Sequence, residues 1–400
     1  MRLVEVKGPV VCVVGAGPAG LVVARLLQRA EIAFVVLERQ QADRLRARMK
    51  AGMIEHRTVE ALKGCGLAAP ILERGSRIGM CEFRMDGEAF VLDYAALCGG
   101  RGNYIYPQQE LVGDWAEQLI AAGGDVRFGV EATRVEQHEG DATVGAVAVS
   151  TGTSMTIECE VVACCDGASS AFSSGVEVAA LSHPFRWLTL IAAVRPSSEG
   201  TIYGLHRRGF AGQMHRSASM TRFMLEIPAG DELGDWPDER IWPELQERLA
   251  ATGRPPLETG ELVERDLLDH RVRVCEPMQQ GRVFLAGDAA HLITPAGGKG
   301  MNMAIQDAIE LAAGICERYG EPNDGSRLAR YSQTRLPRVW RYQEFSNLML
   351  SLFNAGSGIE DQGAAGKSFS YGLRRARLDQ IINDPTLSQW FARAYAGIAD

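Results

Sequence analysis

The sequence of 400 residues lacks the features that mark several large classes of protein. Its nine cysteines are scattered and contain no CxxC pair, which argues against a disulfide framework and a metal site and favours a reducing, cytoplasmic location. No uninterrupted apolar run approaches the roughly 18 residues of a membrane span, so we expect no membrane anchor. The 42 Lys and Arg residues are fewer than the 50 Asp and Glu residues, and this acidic balance predicts no nucleic-acid partner.

Glycine, in contrast, is abundant, at 44 of the 400 residues. The glycines have no G-X-Y period, which excludes a collagen-like chain, and they cluster at residues 15–20, 99–102 and 297–300. Clustered glycine indicates backbone that must approach something closely. The start of the chain loosely resembles a signal peptide, but Glu5 and Lys7 interrupt its apolar region. We therefore interpret this start as a strand that enters the first glycine cluster.

The first glycine cluster separates an apolar run at residues 10–14 from a helical pattern at residues 21–30. A second apolar run follows at residues 32–37. A strand, a glycine turn, a helix and a second strand in this order predict a βαβ unit with a parallel strand pair.

The residues of this turn have the spacing of a dinucleotide-binding motif. Gly15, Gly17 and Gly20 form G-x-G-x-x-G, in which the glycines allow a tight turn, backbone contact with a pyrophosphate and close helix packing. Ala19 belongs to the same predicted site. Glu38 lies 18 residues beyond Gly20, where its carboxylate can accept hydrogen bonds from ribose hydroxyls. The motif predicts dinucleotide binding without separating NAD from FAD.

A second motif occupies residues 281–302. Asp288 follows a predicted buried strand, and Gly297, Gly298 and Gly300 precede a long helical pattern. Consecutive amide groups ahead of a helix N-terminus stabilise negative charge, and a reduced flavin carries such charge at one edge of its ring. This motif favours FAD.

Together these motifs resemble those of the FAD-dependent aromatic hydroxylases, the group A flavoprotein monooxygenases. The three parts are GAGPAG at residues 15–20, Cys-Asp-Gly at 165–167 and GDAAH with GKGMN between 287 and 302. The resemblance implies that O₂ is the oxidant, that a flavin hydroperoxide attacks the substrate and that NADPH or NADH is a transient reductant. Serines at positions 169 and 173, where the family carries a histidine and an arginine, leave NADPH versus NADH open. The predicted cofactor-binding residues are Gly15, Gly17, Ala19, Gly20, Glu38, Arg39, Arg48, Gln108, Arg222, Asp288, Gly300, Met301 and Asn302.

The predicted fold class is α/β (α+β), with a Rossmann-like FAD-binding domain and an inserted antiparallel-sheet substrate domain. Residues 1–75, 101–180 and 270–345 are assigned to the FAD-binding domain. Residues 76–100 and 181–269 are assigned to the substrate domain, and residues 346–400 to a C-terminal helical segment. Pro337 is expected to kink or end a helix over residues 328–353.

The resemblance also implies a small aromatic carboxylic acid as substrate. Tyr203 and Tyr395 match two tyrosines that promote ionisation of a substrate phenol. An isolated tyrosine would favour a buried structural role, but the match of both favours the relay. The backbone at Pro295 is predicted to line the reaction face. Arg216 matches the family's carboxylate anchor, with a surface salt bridge as the alternative.

Several positions depart from the family pattern. Met214 and Met224 replace a serine and a tyrosine of the carboxylate site, and Ile78 replaces a histidine that exports protons. With Trp187, the two methionines are assigned to substrate binding. Because the pocket keeps its charge anchor and loses hydroxyl groups, we expect a ring-substituted 4-hydroxybenzoate, such as an aminohydroxybenzoate, in preference to 4-hydroxybenzoate itself. Decarboxylative hydroxylation of the same class remains an alternative.

Two other functional classes remain open from the sequence. One is an FAD-dependent dehydrogenase or reductase without oxygen insertion, and the other is a non-catalytic FAD-binding protein. His291 is interpreted as a structural histidine. The arginines between residues 327 and 341 are predicted to form a solvated helix face or a homodimer contact.

Overall fold

The computed structural model describes residues 5–6, 10–46, 52–170, 172, 176–320, 323–354 and 369–398. Among them, no helix is both long and apolar enough to cross a membrane. The helices are α1 (Pro18–Arg29), α2 (His56–Gly64), α3 (Ala69–Arg74), α4 (Tyr94–Leu97), α5 (Gln108–Ala121), α6 (Asp238–Arg248), α7 (Gly300–Tyr319), α8 (Ser326–Ala329), α9 (Tyr331–Phe353), α10 (Phe369–Asn383) and α11 (Pro385–Tyr395).

The strands of the described residues form four sheets. They are β1 (Glu5–Val6), β2 (Val11–Val14), β3 (Phe34–Glu38), β4 (Met53–Ile54), β5 (Ser76–Ile78), β6 (Met80–Met85), β7 (Glu88–Asp93), β8 (Asn103–Ile105), β9 (Val126–Phe128), β10 (Val130–Gln137), β11 (Ala142–Ala148), β12 (Ser154–Cys159), β13 (Val161–Cys164), β14 (Glu177–Ala192), β15 (Thr201–His206), β16 (Gly209–His215), β17 (Thr221–Ile227), β18 (Leu262–Glu276), β19 (Gln279–Gln280), β20 (Val283–Leu285) and β21 (His291–Leu292).

The nucleotide-type sheet has six strands in the order β19-β20-β13-β2-β3-β9. Strands β20, β13, β2, β3 and β9 run parallel to their neighbours. All four residues of β2 are buried, as expected for a central parallel strand covered on both faces. Helix α1 connects β2 to β3 and packs against α5 and α7. The predicted βαβ unit is present, and its glycine turn lies at the carboxyl end of β2.

A second sheet has eight strands in the order β21-β18-β14-β17-β16-β15-β6-β7. Because side chains alternate along a strand, its two faces carry different residues. We define the outer face by Leu188, Leu190, Ile202, Phe223 and Leu225, which pack against Trp236, Ile241 and Leu245 around α6.

The inner face of the same sheet is defined by Trp187, Tyr203, Phe210 and Met224. It packs against Phe353, Phe391 and Tyr395 from α9 and α11. The remaining sheets are β1-β12-β11-β10 and β4-β8-β5. The predicted α/β (α+β) fold class is therefore confirmed, whereas the domain boundaries remain a prediction.

Two expectations about α9 are corrected in part: the helix does not end at Pro337, and one of the arginines, Arg335, is buried. The helix continues through Pro337 from Tyr331 to Phe353. Proline removes one backbone donor, but the carbonyl four residues earlier belongs to Gln333, which is exposed and can be solvated. Arg335 is also not on a solvated face, because it is buried and its Nε lies 2.7 Å from Asp307 Oδ1. The fold uses this arginine as an internal counter-ion.

Candidate active site

The glycine turn after β2 has the packing that the motif predicts. Gly15 has φ +98°, and a Cβ there would lie 2.5 Å from the carbonyl oxygen of Cys165. A Cβ on Gly20 would lie 1.9 Å from the Gly15 carbonyl oxygen. A Cβ on Gly17 would meet nothing within 4 Å. Gly15 and Gly20 are therefore required by packing, while Gly17 leaves open space at the N-terminus of α1, where a pyrophosphate fits. Ala19 is buried in the first turn of this helix.

The predicted acid lies beside this turn. Glu38 ends β3, and its Oε2 accepts a hydrogen bond from the amide of Ala16 at 2.7 Å. Its Oε1 accepts from the amide of Gln40 at 2.9 Å. A carboxylate has further lone pairs, so both interactions leave capacity for ribose hydroxyls. Arg39 is exposed next to it, and the predicted contact Arg48 lies outside the described residues.

The second motif forms a cradle at the start of α7. Asp288 follows β20 in a short 3₁₀ turn, and Gly297 and Gly298 both have positive φ, at +78° and +65°. Helix α7 begins at Gly300. The amides of Gly300, Met301 and Asn302 therefore have no partners within the helix, and the helix dipole adds positive potential there.

Asn302 has a structural part in this cradle. Its side-chain Nδ2 donates to the carbonyls of Gly298 at 2.8 Å and Met53 at 3.1 Å. Its Oδ1 accepts from the amide of Glu55 at 2.9 Å. The side chain thus fixes the segment at residues 53–55 against the cradle, which leaves the backbone of Asn302 as the group available to a flavin.

The residues present fit FAD. Gly17 leaves open backbone at the first helix N-terminus, and the cradle presents amides at the second. Between them, Asp166 follows β13, and its Oδ1 is buried without a hydrogen-bond partner among the described residues. Burial raises the pKa of Asp166. A buried acceptor without a donor is costly, so it indicates a place for a ligand that donates hydrogen bonds. Gln108, another predicted contact, is the first residue of α5.

A buried ion pair connects the cradle to the C-terminal helix. Lys299 Nζ lies 2.5 Å from Glu55 Oε1, and both side chains are fully buried. The same Nζ donates to the carbonyls of Ala394 at 2.7 Å and Tyr395 at 3.1 Å. Burial lowers the pKa of Lys299, and Glu55 opposes that shift. Lys299 therefore holds the end of α11, which carries Tyr395, against the flavin cradle.

The two predicted tyrosines meet in the interior. Tyr203 from β15 and Tyr395 from α11 place their hydroxyl oxygens 2.7 Å apart, and both residues are buried. Burial raises the pKa of each phenol above its ordinary value. Both groups consequently remain protonated near neutral pH and can donate hydrogen bonds.

Aromatic rings form an apolar floor next to this pair. Tyr203 stacks on Phe353 with ring centroids 4.8 Å apart, Phe353 stacks on Phe210 at 4.5 Å, and Phe210 contacts Trp187 at 4.6 Å. Met224 belongs to the same buried cluster. The indole Nε1 of Trp187 is buried without a hydrogen-bond partner among the described residues. The floor thus suits a flat aromatic molecule that carries a polar substituent.

The segment that contains Pro295 is fixed by α9. The hydroxyl groups of Thr294 and Ser346 lie 2.7 Å apart, and Ser346 Oγ donates to the carbonyl of Ala296 at 3.0 Å. Pro295 itself is half-buried. His291, just before this segment, is buried with its Nε2 2.5 Å from Asp307 Oδ2. This contact agrees with the interpretation of His291 as a structural histidine.

Two arginines approach one end of the inner face. Arg216 lies in the turn after β16, and its Nη2 donates to Gln109 Oε1 at 3.2 Å. Arg222 lies in β17 opposite Met214, and its Nε is buried without a hydrogen-bond partner among the described residues. Burial lowers the pKa of both guanidinium groups, and Arg216 lowers that of Arg222 further. Glu264 opposes both shifts, and the positive charge that it does not compensate favours an anionic ligand.

The structure adds residues that the motifs do not indicate. Gln109 reaches Arg216 from α5, and Phe353 completes the aromatic floor from α9. Thr201 is buried at the start of β15, two residues before Tyr203. Of these three residues, only Thr201 could have been identified from the sequence. It precedes Tyr203 by two residues, and strand alternation places both on one face of the sheet.

Comparison with known proteins identifies the family of this chain. A model of the FAD binding domain family matches residues 9–346. Over 393 residues the chain is 31% identical to p-hydroxybenzoate hydroxylase of Acinetobacter baylyi, with 97% of this chain and 95% of that protein covered. It is 28% identical over 330 residues to aklavinone 12-hydroxylase RdmE of Streptomyces purpurascens, with 76% of this chain and 61% of that protein covered. The crystal structure of p-nitrophenol 4-monooxygenase PnpA from Pseudomonas putida shares the fold, with a TM-score of 0.82, 21% identity and 98% of both chains covered.

The fold and the cradle therefore define a flavoprotein, and its cofactor is FAD. The chain belongs to the family of FAD-dependent aromatic hydroxylases, which are flavin-dependent monooxygenases. These relatives are named for different aromatic compounds, so membership of the family leaves the substrate to be argued from the pocket.

Proposed function

We propose that this enzyme hydroxylates a phenol-bearing aromatic carboxylic acid of the 4-hydroxybenzoate type, using O₂ and NADPH or NADH. The observation that carries the proposal is the shared inner face, which joins a buried tyrosine pair to a pair of arginines across an aromatic floor. The similarity to p-hydroxybenzoate hydroxylase over nearly the whole length of both proteins supports it.

The tyrosine pair acts at the phenol end of the substrate. A free phenol ionises with a pKa near 10, and its ring reacts with electrophiles far more readily as the phenolate. A hydrogen bond from Tyr203 to the phenol oxygen stabilises the anion, and Tyr395 at 2.7 Å stabilises that arrangement from behind. Because burial keeps both tyrosines protonated, they are donors at neutral pH. Bound FAD supplies the redox chemistry, through reduction by the nicotinamide cofactor and activation of O₂.

The arginines act at the carboxylate end. Arg216 offers a planar guanidinium that can hold a carboxylate with two parallel hydrogen bonds, and Gln109 orients it. Arg222 adds positive charge beside it. Tyr203, Arg216 and Pro295 thus bind and orient the substrate, and the rings of the floor exclude water.

The thioethers at Met214 and Met224 indicate a substituted ring. A methionine adapts to irregular shapes but offers no hydroxyl donor, so the carboxylate is held with fewer hydrogen bonds than a serine and a tyrosine would give. Trp187 Nε1 and the ring nitrogens of His270, which contacts Trp187 at 4.4 Å, are buried without partners among the described residues. These groups suit an additional polar substituent, and an aminohydroxybenzoate meets that requirement.

A substrate panel tests the proposal. Purified holoenzyme is mixed with 4-hydroxybenzoate, its 2- and 3-substituted amino and hydroxy derivatives, and matched benzoates without a phenol. We expect a substituted 4-hydroxybenzoate to stimulate NAD(P)H oxidation most and to yield a product heavier by one oxygen. Tight coupling with unsubstituted 4-hydroxybenzoate alone would refute the substituted-ring assignment. Stimulation by none of the phenolic acids would refute the substrate class. Product analysis also reports whether the carboxylate is retained or lost.

A further inference from the structure

The hydroxyl group of Ser346 in α9 lies against the residues around Pro295, which we call the reaction-face segment (residues 292–296). Ser346 is 1% exposed, and its Oγ lies 2.7 Å from the hydroxyl oxygen of Thr294. The same Oγ lies 3.0 Å from the carbonyl oxygen of Ala296 and 3.3 Å from that of Thr294. Since a hydroxyl has one proton, we assign it to the shorter bond with Ala296, and Thr294 then donates to Ser346. The two bonds lie on either side of Pro295 in the chain.

The hydroxyl of Ser346 is directed away from its own helix. Inside a helix, a serine hydroxyl commonly bonds to the carbonyl four residues earlier, but Ser346 bonds to another segment. Three residues before it in α9, Gln343 Nε2 donates to the carbonyl of Leu292 at 2.9 Å. Side chains of α9 therefore hold both ends of the reaction-face segment, at Leu292 and at Ala296.

Packing on this side of the segment is incomplete. A cavity of about 340 Å³ is bordered by Thr294, Gln343 and Ser346. Its lining also includes the partly exposed side chains of Leu181 and Trp340. Atoms beside a void lack van der Waals partners on that side. The hydrogen bonds from α9 therefore hold the segment where packing does not.

The same face of α9 carries a ring of the aromatic floor. Phe353 lies seven residues beyond Ser346, which is about two helical turns and a rise of about 10 Å, so both side chains share a helix face. Phe353 stacks on Tyr203 with ring centroids 4.8 Å apart. One rigid helix thus connects the reaction-face segment to the floor on which the substrate ring is proposed to lie.

We propose that Ser346 is a positioning residue that fixes the distance of Pro295 from the substrate ring and so determines how much of the NAD(P)H oxidised yields hydroxylated product. Ser346 acts through the reaction-face segment and contacts neither substrate nor cofactor itself. A displacement of about 1 Å in a group that lines a reaction site can cost about 10²-fold in rate. This inference rests on the proposed function, because it requires an aromatic substrate between the floor and Pro295.

Hydrogen exchange followed by mass spectrometry gives a readout that does not depend on activity. Holoenzyme without substrate is compared for the wild type, Ser346→Ala, which removes the hydroxyl, and Ser346→Thr, which keeps it. We expect peptides over residues 292–300 to exchange about tenfold faster in Ser346→Ala, because the segment opens more often. Ser346→Thr should exchange as the wild type does.

A second serine of the same helix provides the matched control. Ser332 is also buried in α9, and its Oγ accepts a hydrogen bond from the amide of Met278 at 2.9 Å. Ser332→Ala therefore loses a buried hydrogen bond of the same helix at a distance from the reaction-face segment. It should lower the thermal midpoint, as Ser346→Ala does, and leave the exchange of residues 292–300 unchanged.

Turnover with the aromatic acid that the panel selects gives the second readout. Ser346→Ala is expected to lower the product formed per NAD(P)H by about five- to tenfold, because the reacting groups are less well placed. Its KM for the acid should stay within about threefold of wild type, since the carboxylate anchor is untouched. Ser346→Thr and Ser332→Ala should keep the coupling of the wild type.

Each outcome has a defined meaning. Unchanged coupling in Ser346→Ala would overturn the inference, whether or not the exchange is faster, as would an equal loss of coupling in Ser332→Ala. If Ser346→Ala fails to fold or to retain FAD, Gln343→Leu, which removes only the bond to Leu292, decides by the same two measurements. A wild type that hydroxylates no phenolic acid would overturn the proposed function and this inference together. A wild type that hydroxylates one, with coupling unchanged in Ser346→Ala, would overturn the role of Ser346 alone.

Discussion

The two faces of the eight-stranded sheet are built from the same strands and serve different ends. The outer face is mainly aliphatic, and α6 covers it with Ile241 and Leu245. The inner face is aromatic and polar, and buried groups such as Trp187 Nε1 and Arg222 Nε have no partner among the described residues. The outer face has its own example in Gln213 Nε2. Since unpaired buried polar atoms cost free energy, their concentration on one face marks the side prepared for a ligand.

The largest expected effect comes from removing the hydroxyl group of Tyr203, which is proposed to contact the substrate phenol. Tyr203→Phe should lower the hydroxylation rate by about 10² to 10⁴ and uncouple NAD(P)H oxidation from product formation, because the phenolate loses its donor. The amount of hydroxylated product formed per NAD(P)H consumed measures the coupling. Tyr94→Phe is the control, since Tyr94 is buried 4.9 Å from the Tyr395 ring but donates to the carbonyl of Ile78. Unchanged coupling in Tyr203→Phe would contradict its role.

A substitution on the outer face should lower the stability of the protein and leave catalysis unchanged. Leu225→Ala removes a fully buried side chain and is expected to lower the free energy of unfolding by about 2–5 kcal/mol. The KM and coupling of the folded enzyme should stay as in wild type, because Leu225 points away from the tyrosine pair. Urea unfolding, followed by FAD fluorescence and by circular dichroism, measures the free energy of unfolding. Steady-state kinetics measure KM and coupling. A large change in coupling with little loss of stability would erase the distinction between the faces.

A substitution of Arg216, the proposed carboxylate anchor, tests whether this end of the inner face binds substrate or supports the fold. Arg216→Met should raise KM for an aromatic acid by about 10- to 100-fold, because a charge-assisted hydrogen bond contributes about 1.5–3 kcal/mol. Stimulation of NAD(P)H oxidation by the corresponding phenol without a carboxylate should be unaffected. Arg216→Lys keeps the charge but loses the planar pair of donors, so an intermediate KM is expected. Equal losses for the acid and the phenol would show that Arg216 supports the fold instead of the carboxylate.

The last prediction concerns the pH dependence at His270, which burial keeps uncharged. Burial lowers its pKa to about 3, against an ordinary value near 6.5. Between those values the unfolded chain binds a proton that the folded chain does not, so the stability falls as pH falls through this window. The slope is at most about 1.4 kcal/mol per pH unit. His270→Leu should therefore flatten the acid side of the stability profile measured by urea unfolding.

Phe185→Leu is the control for this slope, because Phe185 packs on His270 with centroids 4.9 Å apart and does not titrate. It should lower stability at every pH by a similar amount. A profile for His270→Leu parallel to wild type between pH 6.5 and 3 would show that the ring is protonated in the folded protein.

Local patterns predicted much of this molecule. The glycine turn, its flanking strands and the helix at α7 follow from short stretches of chain. Strand β18 was missed because its charged and apolar residues alternate over a half-exposed strand, and its pairing with β14 joins residues far apart in the chain. Arg335 was misplaced because its counter-ion, Asp307, lies on another helix.

The site shows the same limit. The resemblance indicated which tyrosines and arginines to examine, but the contact of Gln109 with Arg216 depends on how α5 meets the turn after β16. The role of Lys299 depends on the docking of α11. Such contacts come from tertiary packing, which no short window of sequence contains. The glycine cluster at residues 99–102 has positive φ at Gly99 and Gly100 and no chemistry assigned to it.

The central claim is that the inner face presents a phenolic acid for oxygen insertion. Isotope labelling tests it directly: holoenzyme, NAD(P)H and the selected aromatic acid are incubated under ¹⁸O₂, and the product is examined by mass spectrometry. The account predicts one ¹⁸O atom in the aromatic product, at a position next to the phenol, and loss of that product in Tyr203→Phe. Substrate oxidation without incorporated ¹⁸O would contradict it and would favour an FAD-dependent dehydrogenase.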